Sequence, residues 1–260
     1  MKLKMFQVDA FSEHVFGGNP AAVCPLDAWL DDAMLQAIAE ENNLSETAFF
    51  VATGDVFELR WFTPVEEVAL CGHATLATAH VIFTHLSYSK PEITFQTRSG
   101  ELRVSRSGEG YAMDFPATLP GATDAPQQLI DGLGKQPQQI LAAFDYVAVY
   151  ASEDEIQSLS PDFAKLKELG LRGVVATAPG KQVDFVSRCF FPKLRVDEDP
   201  VTGSAHCELA PYWAKQLGQN QLVADQLSRR GGRIECEIKG DRVVLIGRCA
   251  DFMTAEIQVA

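Results

Sequence analysis

The sequence predicts an α+β protein of two similar domains, each with strands curved about a central helix. Three observations lead there. A pattern occurs twice. Phe62-Thr63-Pro64 is followed by Glu66 and Glu67, then Leu70-Cys71-Gly72-His73-Ala74-Thr75 and an apolar run. Phe190-Phe191-Pro192 is followed by acids from Asp197 to Asp199, then Thr202-Gly203-Ser204 and a second helix-like run. The spacing from Pro to Gly differs, 64 to 72 against 192 to 203, so the repeat carries an insertion. Such recurrence points to duplicated domains. Residues 73–86 are small or apolar on nearly every side, and a helix without a polar face is a buried helix. Too few other helices are available for a bundle, so curved sheets must surround it. Residues 116–126, rich in Pro, Ala, Thr and Asp, read as the linker.

The elements follow in order. Residues 3–9 alternate apolar and polar, a strand pattern. Phe16-Gly17-Gly18-Asn19-Pro20 is a turn, and residues 21–24 a short strand. Residues 27–42 place Trp29, Leu30, Met34, Leu35 and Ile38 at helical spacing, ending at Asn42-Asn43. Residues 45–51 and 56–62 are strands. Residues 92–96, 101–105 and 111–115 are three more, joined by Gly-containing turns. Past the linker come a helix over 127–133 and a strand over 145–150. Short helices near 153–159 and 161–168 precede strands over 174–177 and 183–191. The second central helix spans 204–217, where Pro211 should kink it or split it in two. Strands over 233–238, 242–246 and 255–259 finish the chain.

A net charge of −13 over 260 residues argues against nucleic acid, whose binding needs Lys and Arg to neutralise phosphates. No apolar stretch is long enough to span a membrane, and the first residues lack the apolar core of a signal peptide. A cytoplasmic protein is the default expectation. The cysteines at 24, 71, 189, 207, 236 and 249 form no C-x-x-C pair and match no zinc spacing, so reduced thiols are expected. His80 and His85 are five apart, off one helical face. No metal is expected.

The stretch that organises the chain is Asp197-Glu198-Asp199-Pro200-Val201-Thr202-Gly203-Ser204-Ala205-His206. It reads as an acidic loop turning sharply into a helix N-terminus. Gly203 lets backbone N–H groups approach an anion, with Asp199 just before the turn.

Six stretches resemble the phenazine-biosynthesis PhzF-like family, itself related in fold to diaminopimelate epimerase. They are Val8-Asp9-Ala10-Phe11, Gly18-Asn19-Pro20-Ala21-Ala22-Val23, Asn43-Leu44-Ser45-Glu46-Thr47, Leu70-Cys71-Gly72-His73-Ala74-Thr75, Glu198-Asp199-Pro200-Val201-Thr202-Gly203-Ser204-Ala205, and Arg229-Arg230-Gly231-Gly232. They span nearly the whole chain. The resemblance implies two α+β domains, 1–117 and 118–250, each a mixed sheet or barrel around a central helix. The C-terminal strand, about 251–260, would return to the first domain. It implies a cofactor-independent isomerase, an active site in a cleft and a homodimer. Carried over by position, Glu46 is the acid/base. His73 and Asp199 join it, with Gly72, Gly203 and Ser204 contacting substrate and Asn19 and Ser45 in support.

The related epimerases and proline racemases use two thiols. Cys71 matches the first, while the second falls at Val201, which can carry no proton, so a two-thiol racemisation is disfavoured. A helix N-terminus could still lower the pKa of Cys71, which keeps it as a minority candidate.

The chemistry this arrangement suits is proton movement next to a carboxylate in a small acidic metabolite. Two helix N-termini would stabilise the charge that develops there, and a carboxylate base would move the proton. Two other readings compete. One is a racemase or epimerase using Cys71 with a non-thiol partner. The other is a binding protein without turnover. The duller readings of the same residues are a solvated Glu46, a packed His73, a turn acid at Asp199 and an N-cap at Ser204.

Overall fold

The computed structural model describes residues 1–259. The chain divides into two compact units. Unit 1 holds Met1–Asp114 together with the residues from Ile246 on, and unit 2 holds Phe115–Leu245.

In unit 1, β1 (Lys2–Ala10) pairs antiparallel with β2 (Asn19–Leu26). The turn between them needs Gly18. Its φ is +62°, and a Cβ there would lie 2.2 Å from the Ala10 carbonyl oxygen, so any side chain collides with β1. Helix α1 (Asp32–Asn42) follows, then β3 (Glu46–Thr53) parallel to β2, and β4 (Val56–Phe62) antiparallel to β3. A short β5 (Glu67–Val68) pairs with the end of β4. Helix α2 (Gly72–His85) leads to β6 (Glu92–Thr97), parallel to β4, then to the antiparallel β7 (Gly100–Ser107) and β8 (Gly110–Pro116). Every residue of α2 from His73 to Phe83 is buried. Its Ala and Thr side chains suit this, because small residues let strands approach from several directions. On the other side of the sheet, Leu35, Ile38 and Ala39 of α1 pack on Met5, Ala22, Cys24, Phe49 and Phe62.

Unit 2 opens with β9 (Gly121–Ala122), α3 (Gln127–Leu133), β10 (Gln139–Ala142) and β11 (Tyr146–Val149). Short helices α4 (Glu153–Gln157) and α5 (Phe163–Leu166) precede β12 (Val174–Pro179), β13 (Phe185–Phe191) and β14 (Val196–Asp199). Helix α6 (Gly203–Leu217), β15 (Gln221–Gln226), β16 (Gly232–Lys239) and β17 (Arg242–Gly247) complete the run. Last comes β18 (Cys249–Gln258), antiparallel to β1 along its length. Ala260, the final residue of the expected return strand, lies outside the described residues.

The sequence repeat has a topological counterpart. The pairings run antiparallel, parallel, antiparallel, short antiparallel, helix, parallel, antiparallel from β1 to β7, and again from β10 to β16. Both sheets are therefore mixed, and α2 and α6 hold the same place in their units.

Several expectations need correction. The first helix begins at residue 32, not 27, because Asp31 caps it by accepting from Met34 N–H at 2.9 Å. The supposed linker is tied into unit 2. Ala117 N–H donates to Asp241 O at 2.8 Å, Thr118 N–H to Cys207 O at 2.9 Å, and residues 121–122 pair with β10. That second bond also explains why α6 runs through Pro211 unbroken. Proline offers no N–H to the carbonyl four residues back, which is Cys207, and Thr118 supplies the missing donor. The last strand starts at 249 rather than 255 because β1 offers a full-length partner. The short or weakly patterned β5, β10, β14 and β15 have no counterpart in the sequence reading.

Candidate active site

Five of the sequence-derived residues meet in unit 1. Asn19 begins β2, Glu46 begins β3 and Cys71-Gly72-His73 opens α2. The parallel pairing of β2 with β3, Ala21 opposite Glu46, sets the two strand starts side by side. His73 Nε2 lies 3.0 Å from Glu46 Oε2. Its Nδ1 lies 3.2 Å from the Asn19 side-chain amide and 3.5 Å from Cys71 Sγ. His73 is 6% exposed, while the Glu46 side chain is 17% exposed, so the imidazole is enclosed and the carboxylate reaches toward solvent. Burial of the ring works against protonation. The neighbouring Glu46 carboxylate offsets it and holds His73 above its usual range. The ring is thereby biased toward its charged form beside Glu46. Ser45 immediately precedes Glu46 and is partly exposed.

Cys71 departs from expectation. Burial, reinforced by the Glu46 carboxylate, pushes its thiol up to about 11, although it stands at a helix N-terminus. Loss of hydration outweighs the helix dipole here.

Asp199, Gly203 and Ser204 meet in unit 2. Asp199 ends β14 and accepts from Thr202 Oγ1 at 2.5 Å. Gln226, the last residue of β15, is fully buried and binds this loop three ways. Its Oε1 accepts from Thr202 N–H at 2.8 Å, while its Nε2 donates to Asp199 O at 2.7 Å and to Thr202 Oγ1 at 3.2 Å. Ser228 adds a bond to Pro200 O at 2.7 Å. The acidic loop is thus held in one conformation before α6 begins.

Asp31, Ser152 and Asp162 cap α1, α4 and α5 with their side chains, whereas neither Cys71 on α2 nor Thr202 on α6 does. Thr202 could cap, but its hydroxyl is engaged by Asp199. At neither of the two equivalent helices does the N-cap residue close off the first turn with its own side chain, an arrangement compatible with receiving an anion. The caps also correct the alignment of the two turns. Cys71 corresponds to Thr202, not to Val201, which is fully buried. A hydroxyl replaces the second thiol.

A further polar group in unit 2 went unread in the sequence. Arg172 binds the fully buried Asp145 with two bonds, 3.1 and 2.7 Å, and reaches Ser204 Oγ at 3.5 Å. Glu208, one turn along α6 from Ser204, is fully buried, its carboxylate near the backbone N–H groups of Phe144 and Asp145. Burial, helped by the Asp145 charge, pushes its pKa to about 8 despite the nearby Arg172. The available signal was one acid on the buried face of an apolar helix. For Gln226 the signal was a polar residue in phase with Leu222 and Ala224.

His80 and His85 also correct the sequence reading. Their spacing argues against a shared ligand, yet both point Nε2 at Oδ1 of Asp251, at 3.1 and 2.9 Å. That carboxylate comes from β18, a partner invisible to spacing along one helix.

The family model of phenazine biosynthesis-like proteins matches residues 8–255. The chain belongs to the PhzF-like family. An uncharacterized isomerase of Pseudomonas aeruginosa is 54% identical, with all of both chains covered. A crystal structure of a PhzF-family protein from Enterococcus faecalis is 47% identical over all of both chains, with a TM-score of 0.98. A probable proline racemase from Agrobacterium radiobacter has a TM-score of 0.63 at 14% identity, covering 99% of this chain and 93% of that one. That likeness concerns the fold alone, the epimerase-like α+β architecture. Among the described residues, no helix is long and apolar enough to cross a membrane.

Proposed function

We propose that this PhzF-like chain is a cofactor-independent isomerase that moves a proton next to a carboxylate in a small acidic metabolite. The observation that carries the reading is the Glu46–His73 pair, 3.0 Å apart with the imidazole enclosed, at the N-terminus of α2. Glu46 takes the proton from carbon and returns it to a second carbon. The His73 ring stabilises the Glu46 carboxylate before the first transfer and after the second, and hydrogen-bonds the protonated Glu46 or the substrate in between. Asn19 and Ser45 support the pair. In unit 1 the amide at Gly72 is available to a substrate carboxylate; in unit 2 the amides at Gly203 and Ser204 and the Asp199 carboxylate are the corresponding substrate-contacting groups. A C–H beside a carboxylate is a weak acid because its loss places charge on charge. Fixed N–H dipoles directed at that charge lower the barrier without reorganising. The names of the Pseudomonas relative and of its family support the isomerase class.

The Cys71 racemase is the weaker reading, because a thiol pushed up to about 11 stays protonated at neutral pH and its counterpart is Thr202. Small carboxylates bearing an activated C–H, incubated in deuterated water and followed by NMR, separate the two. Wild type and Cys71→Ser are expected to wash deuterium into the same substrate, and Glu46→Gln to lose at least about 100-fold of that rate. Exchange that survives Glu46→Gln but not Cys71→Ser would overturn the assignment. A chain that exchanges none of them and captures a stoichiometric protein partner would favour the binding-protein reading.

A further inference from the structure

Away from the candidate active site, α2 and β18 bring two imidazoles and a carboxylate to one point. His80 Nε2 and His85 Nε2 lie 3.1 and 2.9 Å from Asp251 Oδ1. All three atoms fall within 4.8 Å of one another. We propose that His80, His85 and Asp251 form a binding site for a zinc-class divalent ion that fastens β18 to α2.

The donor set selects the class of ion. Two imidazoles and one carboxylate suit zinc and its transition-metal neighbours, whereas magnesium and calcium require oxygen ligands. Tetrahedral bonds of about 2.0–2.1 Å place neighbouring ligand atoms roughly 3.3 Å apart. The two observed N···O separations approach that edge, so binding needs only small side-chain shifts. The site is closed on the protein side and open outward, since the side chains of His80, His85 and Asp251 are 11%, 26% and 44% exposed. Water can complete the coordination.

The surroundings also prepare the ligands. His80 Nδ1 lies 3.0 Å from Tyr111 Oη, which lies 3.4 Å from Thr84 Oγ1. Tyr111 can accept from Nδ1–H while donating to Thr84, which leaves the Nε2 lone pair toward the metal, as outer-shell partners of ligating histidines do. The His85 ring stacks on Phe6, with centroids 4.7 Å apart.

The backbone aims the third ligand. Gln7 opposes Met253 but Val8 opposes Asp251, so Phe252 is the extra residue of a β-bulge. The bulge restores Asp251 to the face of fully buried Val8, and that face looks onto α2. Without it, Phe252 would occupy that position. Asp251 would then point away from the histidines.

The test uses the full chain, stripped with chelator and titrated with zinc by calorimetry and with cobalt by electronic absorption. One equivalent of zinc is expected, with a cobalt spectrum lacking thiolate charge transfer. His85→Gln and Asp251→Asn should each weaken binding by more than about 100-fold, beyond the 10–100-fold typical of losing an outer-shell partner. Zinc should raise the melting temperature of the wild type but of neither variant. Circular dichroism of the metal-free variants checks that they fold. Cys71→Ser should bind as wild type does, because Glu46, Cys71 and His73 are the other close trio. No binding, binding unaffected by both variants, or a thiolate band lost in Cys71→Ser would overturn the proposal.

Discussion

Glu208→Gln should change how stability depends on pH. Glu208 and Asp145 compete for one guanidinium, and Asp145 has it, with bonds of 3.1 and 2.7 Å from Arg172. Glu208 remains fully buried beside the Asp145 charge, and this outweighs Arg172 and the nearby Phe144 and Asp145 backbone N–H groups, so its neutral form is favoured and its pKa rises from 4.5 to about 8. A raised folded-state value means that folding binds a proton. The stabilisation is fully present below the unfolded value of 4.5 and is lost as pH climbs through about 8. The full rise corresponds to on the order of 4 kcal/mol. Glutamine resembles the protonated acid and does not titrate, so the variant lacks this dependence. Urea unfolding of both proteins at several pH values isolates it, because other titrating groups cancel in the difference. The two should be nearly equal near pH 4.5. The variant should gain steadily on the wild type toward pH 9, by a total on the order of 4 kcal/mol. Parallel profiles would show that Glu208 is ionised and satisfied in the native protein, and the reasoning would fail.

Three further outcomes follow from the packing. Gly18→Ala should cost at least about 2 kcal/mol in a denaturant midpoint, since it meets both a φ of +62° and the Ala10 carbonyl. Gln226→Ala removes three hydrogen bonds and leaves the Thr202 N–H buried, which should cost on the order of 3 kcal/mol and loosen residues 199–203 in amide exchange. Pro211→Ala should change stability by less than about 1 kcal/mol, far below the roughly 3 kcal/mol usual for a helix-interior proline, because Thr118 already occupies the Cys207 carbonyl.

The buried helix over 73–86 was legible because only full enclosure accepts apolar side chains all the way round a helix. The repeat was legible through Phe-x-Pro and the glycine turns, since each marks a place where the backbone tolerates few residues. Glu46 and His73 were legible only through motif resemblance. Nothing within either segment reveals that β2 and β3 start side by side and bring the two together. Short strands such as β10 and β14 escaped because four residues carry too little periodicity. Pro211 misled because its compensation comes from Thr118, far away in sequence. Arg172, Glu208 and Gln226 escaped for a similar reason: a polar residue looks solvated until the fold shows that it is enclosed.

The charge state of His73 tests the central claim most directly. NMR titration of its ring should show an imidazolium persisting well above pH 6.5 in the wild type, and Glu46→Gln should bring that titration down. A ring already neutral at pH 7, with a titration indifferent to Glu46→Gln, would contradict the ion pair on which the proposed proton transfer rests.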